Sequence, residues 1–321
     1  MRPETAPDAA DVAGLVRARL AEATDLPVPG KGRTAERWRI LTAWSHDHLV
    51  VGRLLEAHAD AAAILAELGQ AAPEPGQWWG VWAAEPPHPR VLGVRKDATH
   101  WTLTGTKPWC SGAGWCTHAL VTVRDADDPD ERHLVAVDLA HHGVRIERRW
   151  ANAGMADSRT WSVHFDEVPA HHVAPGSGYL DRPGFWHGGA GVAACWLGGA
   201  YAVADRLLSI RRDDPLTRAH AGRVDAALTA ARWALMAAAG ELDADPDDPH
   251  TARIRALRVR ALIERTAAAV IDDVGRALGA GPLCQDAAHA AVVADLSVYI
   301  RQSHGDRDLA ALGALVLGQD P

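Results

Sequence analysis

His304, which is followed by Gly305 and Asp306, is the best candidate in this sequence for acid–base chemistry. An imidazole titrates near neutral pH and can take up or release a proton, and a nearby carboxylate such as Asp306 can orient its ring. The same three residues are also typical of a helix C-terminal cap with Gly305 in the left-handed conformation. His187 is a second candidate, and its alternative is a polar residue near the Gly-rich start of a helix.

Metal and thiol chemistry are not predicted from the sequence. The pairs His141–His142 and His171–His172 are adjacent residues whose side chains point apart on a strand or turn, and no third ligand follows at helical spacing. We therefore predict no metal site. The four cysteines include no CxxC pair, and a chain of 321 residues does not need disulfides, so reduced thiols are expected.

The net charge of −8 argues against nucleic-acid binding, because phosphate recognition requires clustered Lys and Arg. Residues 253–265 come nearest to such a cluster, but their arginines recur among apolar residues at helical spacing, as on a solvated helix face. No stretch approaches the roughly 18 apolar residues that span a bilayer, and no apolar signal segment follows Met1. We expect a cytoplasmic protein that acts on a small molecule, without membrane or nucleic-acid partners.

The spacing of apolar residues changes twice along the chain. Residues 9–70 show helical spacing with a break at residues 30–32, and Pro73 and Pro75 then stop helix formation. The following region alternates between apolar and polar residues, which is typical of strands with one buried face. Strands are predicted over residues 100–107, 119–123, 133–138, 144–149 and 160–165.

The rest of the chain is Ala-rich, and helices are predicted over residues 188–211, 216–239, 249–278 and 286–301. This order predicts an α+β fold with an N-terminal helical domain (1–76), a central antiparallel β domain (77–175) and a C-terminal four-helix bundle (176–321). No GxGxxG motif joins a strand to a helix, so a Rossmann site is not expected.

Several segments resemble motifs of the acyl-CoA dehydrogenase superfamily, in the order found there. Residues 81–86 are similar to its TEP strand, and residues 101–111 are similar to its NGxKxWIT flavin strand. Residues 154–158 and 165–169 resemble its GxRxSxT and FxxVxVP hairpin, and residues 47–58 resemble a helix of a divergent branch. The resemblance implies the fold of that superfamily and a bound FAD.

The resemblance also implies which residues contact the flavin ring. The backbone of Val81, Ala83 and Ala84 would supply hydrogen-bond donors, Trp109 an aromatic wall and Ser111 a hydroxyl. A flavin that accepts hydride needs donors where negative charge grows and an aromatic surface beside its ring. In a chain with 13 tryptophans, a core position is the alternative for Trp109.

Three further positions correspond to the phosphate and adenine end of FAD. Arg211, or Arg212 beside it, ends a helix where the superfamily places an arginine that reaches the diphosphate in a neighbouring subunit. Residues 276–281 resemble the QxxGGxG turn, with Arg276 in place of Gln, Gly279 retained and an alanine in place of one glycine. Because the superfamily shares its FAD sites between subunits, we expect a homodimer or homotetramer.

The catalytic glutamate of the superfamily's dehydrogenases has no counterpart here. One of its usual positions falls near Ser303, and the other falls near Phe185, Trp186 and His187. Flavin monooxygenases of the same fold carry a histidine close to the position of His304, which is therefore implied as a base or as a donor to an oxygenated flavin. Ser303 and His187 are the other catalytic candidates.

Three functions remain open at this point. The first is FAD-dependent oxidation of a small acyl thioester or related substrate. The second is flavin-dependent monooxygenation on the same fold. The third is a non-catalytic member of the superfamily that serves as a binding or assembly partner.

Overall fold

The computed structural model describes residues 9–88, 90–210 and 214–319. Four helices come first: α1 Ala9–Arg17, α2 Leu20–Thr24, α3 Thr34–Asp47 and α4 Leu49–Glu67. The predicted break at residues 30–32 lies in the loop between α2 and α3. At the end of α3 the extended backbone of His48 turns the chain, and its side chain accepts a hydrogen bond from Val51 N–H at the start of α4.

Seven strands follow the helices. The five strands predicted from alternation are all present. Of two further short strands, the one at residues 79–82 overlaps the segment that resembles the TEP strand, and the one at residues 91–95 was not predicted. The last strand was predicted to end at Phe165 but continues to Pro175. The strands are β1 Trp79–Trp82, β2 Val91–Arg95, β3 His100–Cys110, β4 His118–Asp125, β5 Arg132–Asp138, β6 Val144–Glu147 and β7 Trp161–Pro175.

The sheet closes into a ring in which β4 pairs with β5, β5 with β7, β7 with β3, β3 with β2, and β2 again with β4. β1 pairs with β4 at residues 118–121, and β6 pairs with β7. The antiparallel prediction is wrong for two pairings, because β1 and β2 both run parallel to β4. β3 is antiparallel to β2, and β4 reverses direction once more. β2 and β4 therefore run in the same direction where they pair.

The C-terminal half contains seven helices within the described residues, and four of them, α6, α7, α8 and α10, correspond to the predicted ones. Asp214 and Asp248 cap α7 and α8 by accepting backbone N–H groups, and each is followed by a proline in the first turn. None of the described helices is both long and apolar enough to cross a membrane. The seven are α5 Gly176–Leu180, α6 Pro183–Leu208, α7 Pro215–Ala244, α8 Pro249–Leu278, α9 Gly281–Gln285, α10 Ala287–Tyr299 and α11 Asp306–Val316.

Helices from both ends of the chain share one apolar core. α6 packs against α3 as well as α8, and a Cβ at Gly198 would collide with the backbone oxygen of Thr42 on α3. Trp38 of α3 and Trp196 of α6 are fully buried in this core. The N-terminal helices and the C-terminal helices therefore pack as one body, and the domain boundaries at residues 76 and 175 remain predictions.

His58 of α4 connects the helices to the sheet. Its Nδ1 accepts a hydrogen bond from Trp79 N–H (3.1 Å), and its Nε2 lies 2.8 Å from Thr24 Oγ1. Burial lowers the pKa of this imidazole to about 4, so the ring is neutral at physiological pH. Because Nδ1 is the acceptor, Nε2 carries the proton and donates to Thr24. These two hydrogen bonds fix β1 and α2 against α4.

Candidate functional site

Trp109 projects from the sheet at a β-bulge near the end of β3. Lys107 pairs with Val163 of β7 and Cys110 pairs with Trp161, so β3 contains one residue more than β7 over this interval. Trp109 has φ 62°, and its side chain is 61% exposed. A bulge re-aims the side chains that it carries. The core position considered for Trp109 is therefore excluded, and the indole presents an aromatic surface to solvent.

Backbone strain concentrates around this indole. Among the described residues, four that are not glycine have positive φ, and three of these are Trp109, Met155 and Arg159. Met155 and Arg159 flank the 3-10 turn Ala156–Ser158, whose Ser158 carbonyl accepts Gly112 N–H (2.8 Å) from the loop after β3. A left-handed backbone costs a non-glycine residue roughly 1–2 kcal/mol, and such strain clusters at functional sites. The two segments thus form a candidate binding surface.

Three hydroxyl groups form a chain beside the bulge. Ser158 Oγ lies 2.6 Å from Met155 O and 2.7 Å from Thr160 Oγ1, and Thr160 Oγ1 lies 3.0 Å from Ser111 Oγ. Ser111 is buried, and its carbonyl accepts a hydrogen bond from Trp82 Nε1 (3.0 Å). When Thr160 donates to Ser111, the hydroxyl proton of Ser111 remains available to an acceptor other than these three hydroxyl groups.

β1 presents backbone groups on the side that faces away from β4. Trp79 N–H donates to His58, whereas Trp78 O accepts backbone N–H groups at the start of β4. Successive residues of a strand direct their N–H groups to opposite sides, so Val81 N–H points the same way as Trp79 N–H. β1 also contacts β3. Of the three predicted backbone donors, Val81 is therefore on an edge next to the end of β3, and Ala83 and Ala84 follow directly after β1.

Glu85 and Lys107, the charged residues of the TEP-like and flavin-strand-like segments, form their contacts within the closed sheet. Glu85 is held by Arg124 (3.0 Å) and Arg132 (3.2 Å). Lys107 is buried, and its Nζ donates to Thr122 O at 2.7 Å and to Thr122 Oγ1 at 2.8 Å. Burial lowers the pKa of Lys107 to about 8. These two side chains stabilise the sheet, so any ligand contacts of these segments come from their backbone, from Trp109 and from the Ser111 hydroxyl.

Asp295 on α10 anchors the strained turn and was not identified from the sequence. Its Oδ1 accepts Met155 N–H at 2.5 Å, and Gly154 lies so close to Ala294 that a Cβ would collide with its carbonyl oxygen. Burial raises the pKa of Asp295 to about 6, against the opposing effect of the Met155 hydrogen bond. A carboxylate among the alanines and valines of α10 is the sequence signal that could have revealed it.

Arg159 adds positive charge to the turn. Its guanidinium lies 4.1 Å from the ring centroid of Trp115 and 5.6 Å from that of Trp161, and Arg148 lies 5.8 Å from the Trp161 ring. Desolvation lowers the pKa of Arg159, and the neighbouring Arg148 lowers it further, although a guanidinium remains charged in proteins. The two cations are suited to an anionic group such as a phosphate.

A buried ion pair on α4 lies close to the loop after β3. Arg53 Nη1 donates to Glu56 Oε2 at 2.6 Å, and the guanidinium lies 6.0 Å from the Tyr299 ring. Burial raises the pKa of Glu56 to about 7, although the charge of Arg53 opposes the rise. Leu54, between the two, is close to Gly112. The pair was missed because only the tertiary structure shows that Glu56 is buried and Arg53 mostly so.

The predicted acid–base residue His304 lies in the loop before α11. Its Nδ1 is 3.2 Å from Asp308 Oδ1, so the orienting carboxylate is Asp308 and the prediction of Asp306 is wrong. Gly305 does have positive φ, but it precedes α11 and does not end α10, which excludes the C-terminal cap. Ser303 Oγ accepts Gly305 N–H at 3.2 Å. α11 packs against α8, whereas the Met155 turn packs against α10.

His187 is buried near the start of α6. Burial lowers the pKa of its imidazole to about 4, and Arg255 and Arg182 add to this shift. Its Nε2 has no hydrogen-bond partner among the described residues, and its Cε1 lies close to Gly30 in the loop after α2. The structure thus places His187 in the helical interior, in a different position from Trp109 and Ser111.

The residues predicted for the diphosphate and adenine end are only partly described. Arg211 and its neighbour Arg212 lie outside the described residues. Arg276 is exposed on the last turn of α8, and its Nε donates to Asp272 at 2.7 Å. Gly279 follows α8 with φ 69°, and a Cβ placed on it would meet no atom within 4 Å. This turn is therefore open, but it lies on a different element from the Trp109 bulge.

The sequence profile of the acyl-CoA dehydrogenase middle domain matches residues 88–168, which carry β2 to β6 and the start of β7. The resemblance to the acyl-CoA dehydrogenase superfamily is confirmed. No protein of curated function matches the chain by sequence at a significant level.

Solved structures of the same fold extend over nearly the whole chain. KijD3, in complex with FMN and a dTDP-amino-keto sugar, has a TM-score of 0.77 at 15% identity, covering 99% of this chain and 96% of its own. TdsC from Paenibacillus sp. A11-2, with FMN and indole, has a TM-score of 0.77 at 16% identity, covering 97% and 96%. The nitrososynthase from Micromonospora carbonacea var. africana has a TM-score of 0.77 at 18% identity, covering 99% and 98%.

Proposed function

We propose that this protein is a flavin-dependent oxidoreductase, and specifically a monooxygenase that binds FMN. The observation that carries the proposal is the exposed indole of Trp109, which a strained backbone holds next to the Ser111 hydroxyl and the edge of β1 that faces away from β4. The comparisons support it, because KijD3 and TdsC were both solved with FMN, and TdsC is described as a dibenzothiophene monooxygenase.

These residues fit a flavin ring on physical grounds. Trp109 offers an aromatic surface that its bulge holds in one place, and Val81 N–H offers a fixed donor to a carbonyl or ring nitrogen. Ser111 adds a hydroxyl whose own partner, Thr160, is the residue just before β7. A bound flavin supplies hydride acceptance and oxygen activation, and the protein supplies orientation and hydrogen bonds. Arg159 and Arg148 are the cations proposed for the phosphate.

Two observations favour FMN over the FAD expected from the sequence. Arg276, which replaces the Gln of the adenine-binding turn, is already paired with Asp272 at 2.7 Å. The turn after it has also lost a glycine of the superfamily motif. FAD remains the alternative, and the two cofactors are distinguished by chromatography after they are released from the protein by heat.

Acyl-CoA dehydrogenation is less well supported, because it requires a carboxylate that removes the α-proton. Ser303 occupies one usual position and accepts a local hydrogen bond, and His187 occupies the other in a buried, neutral form. His304 is the acid–base group that we propose instead. Its Nδ1 is oriented by Asp308, which leaves Nε2 for a substrate or an oxygen species.

Flavin uptake by the purified protein tests the proposal directly. Titration with FMN should quench flavin fluorescence, and FAD should bind more weakly. Trp109→Leu should weaken FMN binding by about tenfold, equivalent to about 1.4 kcal/mol, whereas Trp109→Phe should retain an aromatic surface and most of the affinity. Failure of the folded protein to take up either flavin would exclude the proposal and favour a non-catalytic binding partner.

The reaction with oxygen separates monooxygenase from dehydrogenase. The reduced, FMN-loaded protein is mixed with ¹⁸O₂ in the presence of indole as a trial substrate, and hydrogen peroxide and labelled product are measured. A monooxygenase should delay peroxide release and transfer label. Slow oxidation of the reduced flavin without label would instead favour the dehydrogenase.

A further inference from the structure

The hairpin of β4 and β5 brings an imidazole and two carboxylates together at its loop end. Arg124 pairs with Arg132 in the ladder, and Asp125 N–H donates to Glu131 O at 3.1 Å just beyond it. His133 Nε2 lies 3.7 Å from Asp125 Oδ2 and 3.5 Å from Glu131 Oε2. One donor atom from each residue lies within 4.8 Å of the other two.

The imidazole of His133 is buried and aimed at the carboxylates. Its side chain is only 5% exposed, and Nε2 has no hydrogen-bond partner among the described residues. Nδ1 is engaged on the opposite side, 3.1 Å from His172 Nε2, and the Trp101 ring lies 4.5 Å from the imidazole centroid. These contacts hold the ring so that Nε2 faces Asp125 and Glu131. A buried polar atom in this position requires a partner.

The geometry points to a binding site for one divalent transition-metal ion, represented by Zn²⁺, at Asp125, Glu131 and His133. Imidazole nitrogen and carboxylate oxygen are ligands that Zn²⁺ prefers, at about 2.0–2.2 Å. A tetrahedron with such bonds has edges of about 3.4 Å, close to the observed separations from Nε2. A metal-bound histidine usually donates its other N–H to a protein acceptor, and His172 supplies one.

Access and competing charges are compatible with metal entry. Glu131 is 60% exposed, so solvent reaches the site and can supply the remaining ligand. Arg95 is the nearby cation, with Nη2 3.7 Å from Asp125 Oδ2, but this is longer than a hydrogen bond and Arg95 is 54% exposed. The adjacent pair His141–His142, which was not predicted to bind metal, supplies no ligand here, and His172 of the other pair acts only through His133.

The site is separate from the proposed flavin site. Trp101 packs against His133 near the beginning of β3, and Trp109 lies near its end. Eight residues of strand correspond to about 26 Å. The metal therefore has no part in the proposed redox reaction. The expected effect of the metal is to fix the loop between β4 and β5 and to stabilise the closed sheet.

Zinc titration of chelator-treated, full-length protein tests this site. Isothermal calorimetry with ZnCl₂ should give one tight site per chain, and Glu131→Gln should weaken it at least tenfold. Asp130→Asn is the matched control, because it removes one charge from the same loop but lies outside the cluster. The zinc affinity of this variant should stay within about twofold of that of the wild type. Co²⁺ in place of zinc should give intense visible absorption, which is typical of four-coordinate geometry and should be lost in Glu131→Gln.

The two substitutions lie at exposed positions, so folding should be retained, and circular dichroism checks this. Zinc should raise the melting temperature of the wild type and of Asp130→Asn, but not that of Glu131→Gln. Absence of zinc binding to the wild type would overturn the proposal. Equal binding by the wild type and Glu131→Gln would also overturn it, because the ion would then be held by other histidines. Flavin content should be the same in all three proteins.

Discussion

The Trp109 indole meets the Trp150 indole edge to face, with ring centroids 6.1 Å apart and an interplanar angle of 90°. Trp150 is itself held by its Nε1, which donates to Gly154 O at 3.0 Å. The contact therefore links the β3 bulge to the strained turn that Asp295 anchors. Movement of α10 would reach Trp109 through this chain of contacts.

Trp109→Gly should lower flavin affinity without lowering the stability of the fold. Glycine adopts the left-handed backbone without the cost of roughly 1–2 kcal/mol carried by the indole residue, and the lost side chain was mostly exposed. The free energy of unfolding should therefore be unchanged or slightly higher, while flavin affinity falls. Chemical denaturation and flavin titration measure the two effects. A marked loss of stability would show that the indole serves packing.

Asp295→Asn should increase stability near neutral pH. The pKa of Asp295 is higher in the folded protein, at about 6, than in the unfolded chain, at about 3.9, so ionisation opposes folding. The free energy of unfolding of the wild type should fall as pH rises from about 4 to about 6, and the variant should lack this component. With partial exposure taken into account, a gain of about 1–2 kcal/mol is expected at pH 7.5. Denaturation curves at pH 4 and pH 7.5 measure it, and an equal difference at both values would contradict the assignment.

The Arg53–Glu56 pair should show strong coupling in a double-mutant cycle. Arg53→Met alone leaves a buried carboxylate without its partner and should cost about 3–5 kcal/mol. Arg53→Met combined with Glu56→Leu should be far less harmful, because both desolvated charges are removed together. Urea denaturation of the four proteins gives the coupling energy. Additive effects of the two substitutions would indicate that the pair contributes little.

His304→Gln should lower the rate of the oxygen reaction by roughly 10² to 10⁴ and leave flavin content unchanged. Asp308→Asn should have a smaller effect, because it weakens the contact that orients Nδ1 of His304 but leaves the imidazole in place. Asp306→Asn, two residues away, is the control and should behave as the wild type. If His304→Gln has the wild-type rate, the residue has only a structural role worth at most about 1 kcal/mol.

A homo-oligomer remains our expectation, and exposed apolar residues suggest where it forms. Leu216 and Trp233 on α7 are 76% and 66% exposed, and Leu262 on α8 is 41% exposed. Sedimentation should give at least twice the chain mass of 34.3 kDa. Trp233→Glu should lower the mass, and Val94→Glu on β2 should not. A monomeric wild type with bound flavin would contradict the expectation.

The long helices were predictable from local signals. α7 and α8 begin at Asp-Pro sequences, where the aspartate caps the helix and proline fixes its first turn, and both continue without an internal proline. Alternation did not reveal β1 and β2, because they have four and five residues and stand among prolines and glycines, and only the resemblance of residues 81–86 to the TEP strand indicated β1. α11 was not predicted, and Gly305, which was considered only as the possible end of a helix, in fact precedes one.

The candidate site was predicted only in part. Trp109 and Ser111 were identified because their motif is continuous in sequence, along β3 and the residue after it, and the structure brings β1, which contains Val81, into contact with β3. Asp295 is unusual as a carboxylate within the apolar α10, but its role depends on a contact with Met155, 140 residues away along the chain, which the sequence does not show. Asp308 was overlooked in favour of Asp306 because the i to i+4 relationship appears only once the loop and α11 are known to be continuous.

Because the sheet closes into a ring, it has few unpaired strand edges to which a strand of a second chain could add. The outer edges belong to β1 and β6, which have four residues each, and His58 already accepts one N–H of β1. Long unpaired edges are the usual templates for strand addition between molecules and for amyloid growth. We therefore expect that partly unfolded protein aggregates through its Ala-rich helices, and that the β region contributes little to inclusion-body formation during expression.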